Sequence, residues 1–154
     1  MKNFLLSVLV IVILIISALV VCQGAIKNKL PFFFKKNEKE NHMPTLENKK
    51  IAMIIAFQDF RDEEYQKTRQ FLEARGAAIA VASSSLDMAK GMLGAQVKPD
   101  LLLKDVAVGD YNAIVFIGGM GAQEYLNNPT AHALARQAVE KGKILAAICL
   151  APAT

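Results

Sequence analysis

Hydrophobic residues beyond position 48 fall into four runs of strand length, at residues 51–56, 77–82, 112–117 and 144–148. The runs do not alternate between polar and apolar positions, which is typical of parallel strands covered on both faces. Helical segments separate them. The first helix follows a polar turn at residues 58–62 and ends at Gly76, and the second begins at Asn128 and Pro129 and ends at Gly142.

Strands that alternate with helices predict an α/β fold with a doubly wound parallel sheet and right-handed crossovers. Residues 86–110 are the least regular part of this region, and we expect short strands or a hairpin there. A sheet of this kind gathers functional groups at the carboxyl ends of its strands. The polar residues and glycines that directly follow each strand are therefore the candidates for a site.

The chain before the first strand has a different character. Residues 4–21 are a run of 18 residues without a charge. A membrane-spanning helix needs roughly 17–25 residues and the apolar core of a signal peptide about 7–15, so the length favours one hydrophobic anchor helix. Cleavage as a signal peptide stays open, because Cys22 and Gly24 are small enough for the −3 and −1 positions. We expect an anchor or signal peptide at residues 1–22, a flexible linker at 23–48 and one domain at 49–154.

The charge distribution does not decide on which side of the membrane the domain lies. Lysines that follow the apolar run outnumber the one before it, and this distribution would keep the domain in the cytoplasm, whereas a cleaved signal would export it. The net charge is +4, of which residues 1–48 contribute +3 and residues 49–154 only +1. The nearly neutral domain gives no argument for a nucleic-acid partner, and we expect none.

The cysteines and histidines do not suggest a metal site. Cys22 ends the apolar run and Cys149 belongs to the domain, so we expect no disulfide between them. Neither His42 nor His132 has another cysteine or histidine at the spacing of metal ligands. We expect neither a metal nor another cofactor.

Cys149 stands at the end of the fourth strand, and Pro152 suits the first turn of a following helix. Ala147 and Ala151 lie two residues before and two residues after the cysteine. Small residues at this spacing are typical of a nucleophile elbow, a sharp turn that lifts the central side chain above the sheet. A helix N-terminus also favours the thiolate. The alternative is a buried structural cysteine.

Gly118 and Gly119 directly follow the third strand. Their backbone N–H groups can approach a ligand without a Cβ in the way. Together with the N–H of Leu150, which follows the cysteine, they can form an oxyanion hole. The alternative is a simple left-handed turn.

Four acidic residues follow the first strand: Asp59, Asp62, Glu63 and Glu64. Most of them should be solvated carboxylates that stabilise the start of a helix. One of them can point inward at Cys149, and their spacing does not say which one.

Three motifs occur in a fixed order, and each is modest alone but specific in combination: Phe60-x-Asp62-x-Glu64, Phe116-Ile-Gly-Gly119 and Ala147-Ile-Cys149-x-x-Pro152. With them, residues 49–154 resemble the DJ-1/PfpI family of the class I glutamine amidotransferase-like superfamily. The resemblance implies a flavodoxin-like fold and a homo-oligomer, commonly a dimer or hexamer. The family includes cysteine peptidases, glyoxalase or deglycase enzymes and stress chaperones.

The resemblance also implies roles for single residues. Cys149 corresponds to the nucleophile, and Glu64 corresponds to the acid that forms a hydrogen bond with it. Gly119 and Leu150 would supply the N–H groups of the oxyanion hole. Gly118 and Asp62 would support this site.

Two departures from the family pattern limit these expectations. Peptidase-like members carry a histidine directly after the cysteine, where this chain has Leu150. Other members take a histidine from further along, whereas this sequence stops at Thr154. We therefore expect a C-terminally incomplete piece in which the sheet exposes an apolar face, with marginal stability or aggregation as the consequence.

The leading hypothesis is a cysteine-dependent hydrolase or a glyoxalase- or deglycase-type enzyme that acts on a small carbonyl compound or a peptide. The alternative is a non-catalytic stress protein tethered to the membrane, either a redox sensor whose cysteine becomes sulfenic or sulfinic acid or a chaperone-like protein. A glutamine amidotransferase is a distant third hypothesis, because such an enzyme normally has glycine where Ala147 and Ala151 stand and Pro152 is not expected in its elbow.

Overall fold

The computed structural model describes residues 45–153. In chain order the elements are β1 (Lys50–Ile54), β2 (Gln58–Phe60), α1 (Asp62–Glu73), β3 (Ala78–Ser83), β4 (Ala89–Gly91), β5 (Gln96–Val97), β6 (Leu101–Leu102), β7 (Ala113–Phe116), α2 (Pro129–Glu140) and β8 (Ile144–Ala147). Short 3-10 turns cover Met120–Tyr125 and Ala151–Ala153.

Five of the strands form a parallel sheet in the order β6-β3-β1-β7-β8. Strand order changes direction at β1, because the chain first moves from β1 to β3 and later returns to the other side of β1 with β7. The remaining strands form a small second sheet, in which β4 pairs in parallel with β2 and antiparallel with β5. The predicted doubly wound α/β fold and the hairpin within residues 86–110 are confirmed.

The two faces of β1 belong to two separate cores. Met53 points to the face covered by α1 and packs in the same cluster as Tyr65. Ile54 points to the opposite face, where α2 contributes Leu134. Each face of the central strand is therefore covered by a helix, which explains why its sequence does not alternate between polar and apolar residues.

The fourth apolar run, residues 144–148, forms a strand, but this strand is not buried as predicted. Ile144 and Leu145 in β8 are exposed, and Ala147 is exposed as well. Within residues 45–153, β8 lies at the edge of the sheet and pairs only with β7, and its contacts with α2 leave Ile144 and Leu145 exposed. Its last turn is still tied to the sheet, because the N–H of Ile148 donates to the carbonyl of Phe116 at 3.1 Å.

Predictions for the N-terminal part fall mostly outside this range. The anchor or signal peptide at residues 1–22 and all but the last residues of the linker at 23–48 precede the described chain. Among the helices of residues 45–153, none combines the length and the apolar character that crossing a membrane requires.

Candidate active site

Cys149 stands at a sharp turn between β8 and the following 3-10 turn. Its backbone has φ of +57°, a left-handed conformation that costs a residue with a side chain about 1–2 kcal/mol. The N–H of Ala151 donates to the carbonyl of Ile148 at 3.0 Å and closes the turn, and Ala151 is buried. The thiol is free and exposed. These features are the geometry of a nucleophile elbow, with a 3-10 turn at the position where we predicted the start of a helix.

Gly118 separates Cys149 from Glu64. An ideal Cβ on Gly118 would lie 2.8 Å from the Cβ of Cys149 and 2.8 Å from Oε2 of Glu64. The same point is 2.6 Å from the carbonyl oxygen of Ile148. Only glycine leaves room for this approach, so the missing side chain brings the carboxylate and the cysteine together. The carboxylate accepts a hydrogen bond from the N–H of Gly118 at 3.1 Å.

The loop that contains Gly118, Gly119 and Gly121 packs directly against the backbone of β2 and Arg61. Gly119 has φ of +101°, and a Cβ there would stand 2.5 Å from the backbone nitrogen of Arg61. That nitrogen donates to the carbonyl of Gly118 at 2.9 Å. A Cβ on Gly121 would overlap with the carbonyl oxygen of Gln58. Backbone contacts on both sides therefore fix the direction of the Gly119 N–H.

These groups line one pocket with a cavity volume of about 670 Å³, whose walls are formed by Arg61, Glu64, Met92, Gly119, Met120, Cys149 and Leu150. Within residues 45–153, the backbone N–H groups of Gly119 and Leu150 make no hydrogen bond. Two N–H donors without partners in the wall of a pocket that also holds a thiol can bind a negatively charged oxygen.

Both charged side chains in the pocket wall already have partners. The Arg61 guanidinium pairs with Glu63, with 2.9 Å between Nε and Oε2. Glu64 is held by Gly118, as described above. In the part of the chain that the structure describes, no three His, Cys, Asp or Glu side chains come together in a way that would hold a metal ion.

Asp62 is buried and supports the pocket from a distance. Its Oδ2 accepts the N–H of Leu93 at 2.9 Å and its Oδ1 accepts the N–H of Ala95 at 2.7 Å. Burial by itself raises the pKa of Asp62, but these backbone hydrogen bonds and the nearby Arg61 lower it more, so the pKa lies below its ordinary value. Asp62 thus binds the β4–β5 hairpin and does not line the pocket.

Sequence reasoning missed three residues of the pocket wall. Arg61 and Met120 stand inside or directly after the motifs, so their positions in the sequence already carried a signal. Met92 lies in the hairpin, and nothing in its local sequence connects it with Cys149. Of the four acidic residues after β1, Glu64 is the one beside the cysteine, and Glu63 pairs with Arg61.

Fold and site together describe an α/β domain with a cysteine elbow at the carboxyl edge of a parallel sheet. A model of the DJ-1/PfpI family matches residues 49–154. The chain therefore belongs to the DJ-1/PfpI family, which confirms the resemblance seen in the three motifs.

Relatives of this chain include an uncharacterized protein and proteins named as enzymes. An uncharacterized protein of Methanocaldococcus jannaschii is 39% identical over 117 residues, which is 75% of this chain and 56% of the relative. The glutathione-independent glyoxalase DJR-1.2 of Caenorhabditis elegans is 29% identical over 104 residues, which is 68% of this chain and 56% of the relative. The deglycase PfpI of Pyrococcus furiosus is 28% identical over 100 residues, covering 65% and 60% of the two chains.

A solved structure agrees with this assignment. The ThiJ/PfpI domain protein of Brachyspira murdochii superposes with a TM-score of 0.66 at 30% identity, over 68% of this chain and 60% of that one. The flavodoxin-like α/β fold is thereby confirmed. The chain spans only between 56% and 60% of the length of the four proteins named here.

Proposed function

We propose that this protein is a cysteine-dependent enzyme of the glyoxalase or deglycase type that acts on a small carbonyl compound. The observation that carries the proposal is the single pocket that holds the Cys149 thiol, the Glu64 carboxylate and the N–H groups of Gly119 and Leu150. The names of the glyoxalase and deglycase relatives support the choice of reaction.

The reaction on a 2-oxoaldehyde follows from these groups. Attack of the Cys149 thiolate on the aldehyde carbon forms a C–S bond and moves the carbonyl electron pair onto oxygen, where the N–H groups of Gly119 and Leu150 stabilise the charge. Glu64 takes the proton from the former aldehyde carbon and returns it to the neighbouring carbon, and the proton that the Cys149 thiol lost ends on the neighbouring oxygen. The hemithioacetal thereby becomes a thioester of a 2-hydroxy acid. Water then cleaves the thioester, releases a 2-hydroxy acid and restores the thiol.

A peptidase is the weaker choice of enzyme. Peptidolysis requires a group that protonates the leaving amine, and the position after the cysteine holds Leu150 in place of an imidazole. Isomerisation of a 2-oxoaldehyde needs no such leaving-group acid. Glu64 lines the same pocket as Cys149 and can exchange the protons that this isomerisation needs.

The test is the conversion of methylglyoxal into lactate by the purified protein. Replacement of Cys149 by serine should reduce the rate to background, and Glu64→Gln should reduce it by about 10²–10⁴-fold. Cys22→Ser is the matched control, because it removes the chain's other cysteine, which precedes the domain. An unchanged rate in Cys149→Ser, or no turnover by the unaltered protein, would refute the proposal.

Redox sensing is the second candidate, and the exposure of the Cys149 thiol favours it. A sensor would form sulfenic or sulfinic acid at Cys149 with few equivalents of peroxide. Mass spectrometry of the peptide that contains Cys149 measures this oxidation directly. Rapid oxidation without methylglyoxal turnover would favour the sensor over the enzyme.

Attachment of the domain to a membrane through residues 4–21, and its assembly into a homo-oligomer, also belong to the proposal. The uncharged run of 18 residues supports the attachment. Fractionation of cells that express the full chain, compared with a chain that begins at residue 45, tests it. Equal amounts of both chains in the soluble fraction would argue against an anchor.

A further inference from the structure

Two methionines stand in the pocket wall beside Cys149 with much of their side chains exposed. Met92 is 38% exposed and Met120 is 56% exposed. The free energy falls when an apolar group covers large apolar side chains that face an open pocket, because apolar surface is removed from water. With Leu150, they give the pocket an apolar wall next to the reactive thiol.

Charged groups do not compete for the same contact. Arg61 is paired with Glu63 at 2.9 Å, and Glu64 accepts the N–H of Gly118 at 3.1 Å. A carboxylate or ammonium group on a ligand would share Arg61 or Glu64 with these partners and would lose hydration against the two methionines. An uncharged apolar group has no such cost.

The backbone holds both methionines in place. The N–H of Met92 donates to the carbonyl of Phe60 at 3.0 Å, and Asp62 accepts the N–H of Leu93 in the same turn. Met120 directly follows Gly119, whose position is fixed by its contact with β2. The side chains themselves are unbranched and adaptable, so they can fit ligands of several shapes. The apolar wall is therefore present before a ligand binds.

From this arrangement we infer that the substrate carries an uncharged apolar substituent, such as an aryl or branched alkyl group, next to the reacting carbonyl, and that Met92 and Met120 determine this preference. The chemistry of the reacting carbonyl rests on the proposed function. The preference itself is a property of the pocket, so it can be measured with or without turnover.

The first experiment compares kcat/KM for phenylglyoxal and methylglyoxal. Hydrophobic contacts with such a substituent change kcat/KM by about 10–200-fold, so the protein should prefer phenylglyoxal by at least about tenfold. Met92→Gln and Met120→Gln keep the length of the side chain but add a polar amide, and each should remove most of the preference. Leu93→Gln is the matched control, because Leu93 is exposed in the same hairpin but lies outside the pocket wall. Equal kcat/KM values for both substrates in the unaltered protein would overturn the inference.

The second experiment does not need turnover. N-phenylmaleimide and N-methylmaleimide alkylate Cys149, and mass spectrometry of the peptide that contains Cys149 gives the two rates. Their ratio, divided by the same ratio for free cysteine, should be about 10 or more in the protein and close to 1 in Met92→Gln and Met120→Gln. A ratio close to 1 in the unaltered protein would contradict the apolar wall. A high ratio without lactate formation would refute the proposed function and leave the inference standing.

Discussion

Replacing Gly118 by alanine should separate the cysteine from its carboxylate while the domain stays folded. The new methyl carbon would lie 2.6 Å from the carbonyl oxygen of Ile148 and 2.8 Å from both the Cβ of Cys149 and Oε2 of Glu64. Separations below 3.0 Å are not tolerated, so the neighbours must move by about 0.4 Å or more at the carbonyl. Two of the three neighbours belong to the elbow, whose backbone cannot turn away as a flexible side chain can.

The size of the effect follows from this displacement. Overpacking by one carbon costs about 1–3 kcal/mol, so the variant is compared under conditions in which the unaltered protein unfolds with a free energy of about 5 kcal/mol or more. A reacting group displaced by about 1 Å loses about 10²-fold in rate. The expected result is therefore a folded variant with a loss in methylglyoxal turnover of about 10–100-fold, and a changed rate of Cys149 alkylation.

Gly109→Ala provides the matched control. A Cβ on Gly109 meets no atom within 4 Å, and Gly109 does not have a positive φ. Urea unfolding followed by circular dichroism gives the stability of both variants, and alkylation of Cys149 reports on the elbow without depending on turnover. If Gly118→Ala kept the stability, the alkylation rate and the turnover of Gly109→Ala, the close approach of Glu64 and Cys149 around Gly118 would be wrong.

Two further predictions concern stability. The pKa of Asp62 lies below its ordinary value of 3.8. The stabilisation of the folded state by its carboxylate is therefore fully present above that pH and is lost as the pH falls through the lower pKa of the folded state. At pH 7, the free energy of unfolding of Asp62→Asn should therefore be about 1.5–3 kcal/mol lower than that of the unaltered protein, and this difference should shrink below pH 3.8. A difference that stays constant with pH would contradict this account. Tyr125→Phe removes a buried hydroxyl that donates to the carbonyl of Ile55 at 2.7 Å, and urea unfolding should show a loss of about 1–3 kcal/mol. Tyr111→Phe is its control, because the Tyr111 hydroxyl is only partly buried and makes no hydrogen bond within residues 45–153, and equal losses in both variants would argue against the Ile55 contact.

Local sequence patterns predicted most of the fold because they depend on interactions between near neighbours. The apolar runs at residues 51–56, 77–82 and 112–117 became β1, β3 and β7, and Asn128 with Pro129 began α2 as predicted. Asn128 accepts the N–H groups of Thr130 and Ala131, so the capping signal was sufficient by itself. The run at residues 144–148 formed its strand as well. The apolar run by itself predicted a buried strand, because burial depends on which strand and helix lie beside it and a run of hydrophobic residues does not encode these neighbours.

The sequence alone also determined that Cys149 stands at an elbow and that a glycine pair follows a neighbouring strand. It left open which acidic residue accompanies the cysteine, since Asp62 and Glu64 both lie in the first turn of α1. Two residues turn an α-helix through about 200°, so these carboxylates point in opposite directions. Packing then placed Asp62 against the hairpin and Glu64 against Gly118.

Only the tertiary structure brought Met92 to the pocket. Met92 is separated from Cys149 by more than half of the domain along the chain, and it reaches the site because Phe60 and Asp62 hold the backbone of its hairpin. The elbow depends on local backbone geometry, and a short motif can specify it. The apolar wall depends on contacts between distant segments, and no local pattern encodes them.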